Sequence, residues 1–229
     1  GEAYVYNAVT GALVHTLVGG PSAQSFGYFF AAGVGDVDGD FLPDVYIPDF
    51  GDTALGGGTG RAYVFSGATG ALIHEWGGAA AGSGFGIGRG AGDVDNDGHE
   101  DMLLCGWTDS SGAAQAGKAF VYAGRDGSLI RTITNTVAGD QMGFDAFGLG
   151  DVNGDFGPDF ALTAPSNGAG VVYVAAGTPL CLADCDGSGG LDFFDFLCFQ
   201  NAFGAGEPQA DCDGSRALDF FDFLCFQNR

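Results

Sequence analysis

Asp36-Val37-Asp38-Gly39-Asp40-Phe41-Leu42-Pro43-Asp44 is the stretch on which the reading of this chain turns. It sets carboxylates at positions 1, 3, 5 and 9 of a tight, glycine-bearing loop, so that four acidic side chains can converge on one point. An all-oxygen cage of this kind suits a hard cation, and above all Ca²⁺, which takes six to eight oxygen ligands. The pattern returns as Asp93-Val94-Asp95-Asn96-Asp97-Gly98-His99-Glu100-Asp101 and as Asp151-Val152-Asn153-Gly154-Asp155-Phe156-Gly157-Pro158-Asp159. The chain therefore repeats with a period of about 58 residues, and an internal repeat takes precedence over any local reading.

Outward from the loops the flanks keep the same register. Ala3–Tyr6, Ala62–Phe65 and Ala119–Tyr122 read as matching strands, with Val171–Val174 a fourth. The first three run through a Thr-Gly or Asp-Gly turn into second strands ending at His15, His74 and Arg131, which predicts hairpins. Phe26-Gly27, Phe85-Gly86 and Phe144-Asp145 precede the loops, and apolar strands beginning at Val45, Met102 and Phe160 follow them. The predicted fold is mainly β, built from antiparallel four-stranded sheets that carry one loop each. Such sheets usually arrange radially as propeller blades. The units run roughly over residues 1–60, 61–117 and 118–177. Three are fewer than the four to eight of a closed ring, so upstream blades are expected to be absent or neighbouring molecules to complete the array. Open strand edges invite pairing with another chain, and contacts that do not close build fibres.

Phe-Gly, the spaced aspartates and an apolar strand that ends in Ala164-Pro165 in the last copy resemble the FG-GAP repeat of the integrin α-subunit propeller and its bacterial relatives. The resemblance covers residues 1–177. It implies Ca²⁺ held by side chains at 1, 3, 5 and 9 and a backbone carbonyl at 7. The implied ligands are Asp36, Asp38, Asp40, Leu42 and Asp44; Asp93, Asp95, Asp97, His99 and Asp101; and Asp151, Asn153, Asp155, Gly157 and Asp159.

After Thr178-Pro179 the composition changes to Cys, Asp and Phe, and residues 178–229 form a second module. Ala183–Asn201 and Ala210–Asn228 are near-copies. Counting from Asp184, ligand types fall at 1, 3, 5, 9 and 12 (Asp184, Asp186, Ser188, Asp192, Asp195). This matches an EF-hand loop with Asp in place of the final Glu. The second copy offers Asp211, Asp213, Ser215, Asp219 and Asp222, with Arg216 where the first has the turn glycine Gly189. A helix follows each loop, with Asp192 placed to cap the first. The duplicated loop and helix resemble a dockerin domain, an attachment module of extracellular bacterial assemblies. Cys185 with Cys198 and Cys212 with Cys225 share one spacing, so each pair could tie a loop to its own helix; cross-repeat pairing is equally allowed. Cys105, in an apolar strand, reads as a buried thiol. The many Phe residues of this tail either pack helix on helix or face a receptor.

The chain carries 29 acidic against 7 basic residues, a net charge of −22. Eleven aspartates lie at ligand positions of the three blade loops and eight more in the C-terminal pair, so the acidity is mostly ligand chemistry. Unneutralised, each cluster would oppose folding, which predicts a calcium-dependent fold. So few Lys and Arg exclude nucleic-acid and anionic-membrane surfaces as partners. No apolar run approaches the roughly 20 residues of a membrane span, so membrane insertion is not expected. Residue 1 lies inside a repeat and is not Met, which predicts a mature or trimmed product. Calcium sites and clustered cysteines place the chain outside the cell, secreted or surface-associated.

His15 and His74 share a repeat position with Arg131, and His99 stands in a loop, so the histidines form no catalytic group. No nucleophile elbow, metalloprotease helix or phosphate-cradling loop occurs. The expected function is non-catalytic: a calcium-binding protein of adhesion or assembly, with a protein receptor of cohesin-like kind, a second copy, or a glycan as partner. A self-assembling fibre subunit and an accessory region of a larger secreted hydrolase are the alternatives.

Overall fold

The computed structural model describes residues 1–95, 97–154, 157–177, 193–206 and 218–227, together with Cys185 and Ala210. Among the described residues thirteen strands, most of them rich in Val, Ile, Leu, Tyr and Phe between glycine-bearing turns, form four antiparallel sheets. The first sheet is a hairpin of β1 (Glu2–Tyr6) and β2 (Leu13–Val18). The second has four strands in chain order, β3 (Ala32–Gly33), β4 (Val45–Asp49), β5 (Arg61–Phe65) and β6 (Leu72–Gly77). The third repeats it with β7 (Phe85–Gly92), β8 (Asp101–Gly106), β9 (Lys118–Tyr122) and β10 (Leu129–Thr134). The fourth holds β11 (Ala146–Gly150), β12 (Asp159–Ala164) and β13 (Val171–Ala175).

The sheets are out of phase with the sequence period. The hairpin that opens each sequence unit pairs with the loop-following strand of the unit before it, as β5 does with β4 and β9 with β8. The hairpins are copies down to their bonds. Gly11, Gly70 and Gly127 donate to the carbonyls of Asn7, Ser66 and Ala123 at 2.8, 2.8 and 3.0 Å. Two sheets are complete four-stranded units, and no ring is closed among the described residues.

The second and third sheets bury both faces, because β4 and β8 are apolar almost throughout and lie between neighbours, whereas Tyr4, Tyr6 and Val18 of the first sheet and Val172 and Val174 of the fourth are exposed. Leu17, Phe26, Ile47, Tyr63 and Phe65 form one core. Val37, Tyr46, Val64, Phe85, Met102 and Leu104 form the next, and Leu103, Cys105, Val121, Phe160 and Leu162 the third. Alternate residues of β8 thus serve opposite cores, as the two-residue strand period requires. Cys105 is a free, fully buried thiol whose burial pushes its pKa well up. It should resist iodoacetamide in the folded chain and react completely only after denaturation; alkylation at the rate of a free thiol would contradict this packing.

One repeat correspondence differs from the sequence reading. Met142-Gly143, not Phe144-Asp145, occupies the Phe-Gly place in the third copy. A Cβ on Gly60 would lie 2.0 Å from the Phe85 carbonyl oxygen, and one on Gly117 would lie 2.1 Å from that of Met142. Phe85 and Met142 are both buried, and Gly86 and Gly143 share positive φ of 104° and 90°. Phe144 instead lies 39% exposed against the Trp107 ring. Met fills an irregular apolar gap as well as Phe does, so the chemical likeness that matters here is volume.

In the C-terminal module α1 (Phe193–Ala205) and α2 (Phe220–Gln227) follow the two loops. Phe199, Ala202 and Ala210 form its buried centre with Phe203, Leu218, Phe223 and Phe226 around them. The Phe199 and Phe226 rings stack 4.4 Å apart, so part of the Phe content packs helix against helix. Phe193, Phe194 and Phe220 stay exposed. Cys185 and Cys198 are joined by a disulfide, which ties the first loop to its own helix. The pairing of Cys212 lies outside the described residues. No described helix is long and apolar enough to cross a membrane.

Candidate cation loops

Each aspartate loop joins the first strand of a sheet to its second, so the sheet edge fixes both ends of the loop. The position-9 carboxylates are buried at the start of that second strand: Asp44, Asp101 and Asp159 are at most 1% exposed. Each accepts the same pair of backbone bonds. Asp44 Oδ2 accepts from Val37 N at 2.8 Å and Oδ1 from Gly67 N at 2.9 Å. Asp101 Oδ2 accepts from Val94 N at 2.6 Å and Oδ1 from Gly124 N at 2.8 Å. Asp159 Oδ2 accepts from Val152 N at 2.9 Å and Oδ1 from Gly177 N at 2.9 Å. The position-9 aspartate is therefore a clamp that holds its loop to the second residue after the third strand of the same sheet.

Position 1 folds the loop tip. Asp36 Oδ1 accepts from Gly39 N at 2.7 Å and Asp40 N at 3.0 Å, and Asp93 Oδ1 accepts from Asp97 N at 3.0 Å. Asp151 Oδ1 accepts from Gly154 N at 2.7 Å. Positions 3 and 5 make short turns of their own: Asp38 and Asp95 accept from Asp40 N and Asp97 N, and Asp40 and Asp97 from Leu42 N and His99 N.

These turns gather carboxylates. One oxygen from each of Asp36, Asp38 and Asp40 lies within 4.8 Å of the others, and so does one from each of Asp93, Asp95 and Asp101. Asp44 and Asp97 stand outside these two groups. In the third loop Asp151, Asn153, Gly157 and Asp159 are described, with the Asn153 side chain donating to Asp159 Oδ1 at 3.2 Å, while Asp155 lies outside the described residues. So do Asp184, Asp186, Ser188, Asp192, Asp211, Asp213 and Ser215. Asp195 and Asp222 are buried in the first turns of α1 and α2. Asp222 Oδ2 accepts from Asp219 N at 2.8 Å, the reciprocal bond of a helix capping box.

The electrostatics ask for positive charge. Burial raises the Asp44 carboxyl above its ordinary range and lifts Asp101 to about 7 against the pull of its two N–H donors. Asp95 is raised by burial and then by Asp97. A donor set made of carboxylate oxygens alone, already brought to a few ångströms, fits a hard divalent cation and not a soft one.

The histidines serve the joints between sheets. His15 Nε2 lies 3.0 Å from the Gly67 carbonyl oxygen, and His74 Nε2 bonds the Gly124 carbonyl oxygen. Arg131 Nη1 donates to Ala176 O at 2.8 Å in the corresponding place. Each side chain thus reaches the stretch whose N–H holds the next position-9 aspartate. Arg89 and Asp145 add a half-exposed ion pair at 3.2 Å between the third and fourth sheets, worth under about 1 kcal/mol.

No protein-family model matches the chain. It is 30% identical over 186 residues to integrin alpha-4 of Xenopus laevis, across 77% of this chain. The chain spans 18% of that protein's length. The likeness agrees with the integrin-α resemblance of the repeats, and the dockerin-like resemblance of residues 178–229 draws no support from it.

Proposed function

We propose that this chain is a non-catalytic, extracellular calcium-binding protein of adhesion or assembly. Its FG-GAP-type blades present an interaction surface to a protein partner, and its dockerin-like tail provides attachment. The observation that carries this reading is the three-carboxylate convergence found in two loops of the same hydrogen-bond pattern, in a chain similar to an integrin α-subunit. Asp36, Asp38 and Asp40 would hold one Ca²⁺, and Asp93, Asp95 and Asp101 a second. The third blade loop would hold another through Asp151, Asn153, Asp155 and Asp159. Leu42, His99 and Gly157 would add backbone carbonyls. In the tail Asp195, Asp219 and Asp222 would complete sites begun by the EF-hand-like loops. Bound calcium supplies positive charge that lets buried like charges coexist, so its role is to hold blades in one shape.

Isothermal titration of the chelator-stripped chain is the test. At least three Ca²⁺ per chain are expected, with Mg²⁺ a poor competitor. Absence of heat and of metal retention after dialysis would remove the calcium reading. Turnover of polysaccharide or phosphoester substrates by the purified chain would overturn the non-catalytic part.

A further inference from the structure

The first two aspartate loops are joined to each other across the boundary between the second and third sheets. Glu100 N donates to the Asp36 carbonyl oxygen at 2.8 Å, and His99 Nδ1 lies 3.0 Å from the Val37 carbonyl oxygen. A carbonyl can only accept, so this bond requires the imidazole to carry a proton on Nδ1. The ring also lies against the loop tip: a Cβ on Gly39 would stand 2.7 Å from its Cε1. Positions 7 and 8 of the second loop thus grip positions 1, 2 and 4 of the first. Position 7 is Leu42 in the first loop and Gly157 in the third, and neither has a side chain that can hydrogen-bond.

We propose that His99 couples the two loops, so that a cation bound in one raises the affinity of the other. The proposal rests on the cation-binding reading above and adds its regulation. The path is short and crosses between the loops through two hydrogen bonds. His99 lies between Asp97 and Asp101, so drawing the second loop around a cation sets the imidazole and the Glu100 N–H. These fix the carbonyls on either side of the Val37 α-carbon, and with them the approach of Asp36 and Asp38. Coupling of this kind is reciprocal, since each site must change the other by the same factor. His99 is a positioning residue here. Its imidazole touches the neighbouring loop and is not itself offered to the cation.

The test is calcium titration of the ¹⁵N-labelled full chain, with the Gly39 amide reporting the first loop and the Gly98 amide the second. Disabling the second loop with Asp95→Asn and Asp97→Asn should weaken half-saturation of the first about fivefold or more. In a His99→Ala background the same disabling should change it less than about twofold. His99→Asn should restore the coupling, because its amide nitrogen stands at the same bond distance from the backbone as Nδ1, whereas His99→Gln should not. Disabling the first loop with Asp38→Asn and Asp40→Asn in the native His99 background should weaken the second by the same factor, which keeps the test open if His99→Ala fails to fold. First-loop half-saturation indifferent to the second loop, or full coupling retained in His99→Ala, would overturn the proposal while leaving calcium binding in place. Gly39 and Gly98 amides that ignore millimolar calcium would instead overturn the cation-binding reading itself, and the coupling with it.

Discussion

Asp44→Ala, measured in saturating calcium, is expected to destabilise the chain by about 2–4 kcal/mol, although Asp44 stands outside the carboxylates that converge in its loop. The side chain is 1% exposed and its two oxygens accept from Val37 N, Asp38 N and Gly67 N at 2.8, 3.4 and 2.9 Å. Truncation leaves buried backbone donors without partners and opens a void at a buried position. The effect should appear as a fall in melting midpoint of about 5–15 °C, given the 2–4 °C per kcal/mol typical of chains this size. Asp38→Asn offers the contrast. Its carboxylate is exposed and belongs to the converged group, so it should lower calcium affinity while changing stability only through lost metal. A midpoint within about 2 °C of the parent for Asp44→Ala would show that the clamp is dispensable.

The second large effect is that of calcium itself. A ligand at a hundred times its dissociation constant stabilises by about 2.7 kcal/mol per site. Two loops with gathered carboxylates should therefore lift the midpoint by about 10–20 °C between excess chelator and millimolar calcium. The increment should grow with pH. The folded-state pKa of Asp101, raised to about 7 chiefly by burial, lies above the unfolded value of 3.8. The folded chain thus holds that proton more tightly, and without metal it loses stability as pH rises from about 4 through about 7. Calcium compensates the charge that appears. Scanning calorimetry at pH 5 and pH 8, each with and without chelator, reads both effects. An equal increment at the two pH values would contradict the burial of Asp101, and no increment at either would contradict the cation sites.

The aspartate spacing, the hairpin turns and the succession of strands along the chain were legible because each depends on residues close in sequence. A carboxylate at position 1 meets amides three to five residues on whatever lies beyond, as Asp36 does with Gly39 and Phe41. The Met142 correspondence was not legible by residue type, since what selects it is the approach of the Gly117 backbone from the neighbouring strand. Its signal was nevertheless present: Thr59-Gly60-Arg61 and Ala116-Gly117-Lys118 stand at matching places in the repeat. The phase of the sheets was hidden for a related reason, because a period marks equivalent positions and is silent about which neighbour each strand bonds. The spacing of the tail cysteines allowed local and crossed bridges alike, and the packing of α1 beside Cys185 selected the local one.

What the sequence by itself determined is the inventory: repeated antiparallel strands, loops of oxygen donors at fixed offsets, an excess of acid gathered where a cation would neutralise it, and a second module of different composition. Tertiary structure alone decided the division of labour within the loops. It buried the position-9 aspartates as clamps, brought Asp101 but not Asp44 to its gathered carboxylates, and laid His99 across Gly39 and the Val37 carbonyl. Local chain geometry sets which atoms can meet within nine residues, whereas burial and contacts between residues 62 apart depend on how one sheet stacks on the next.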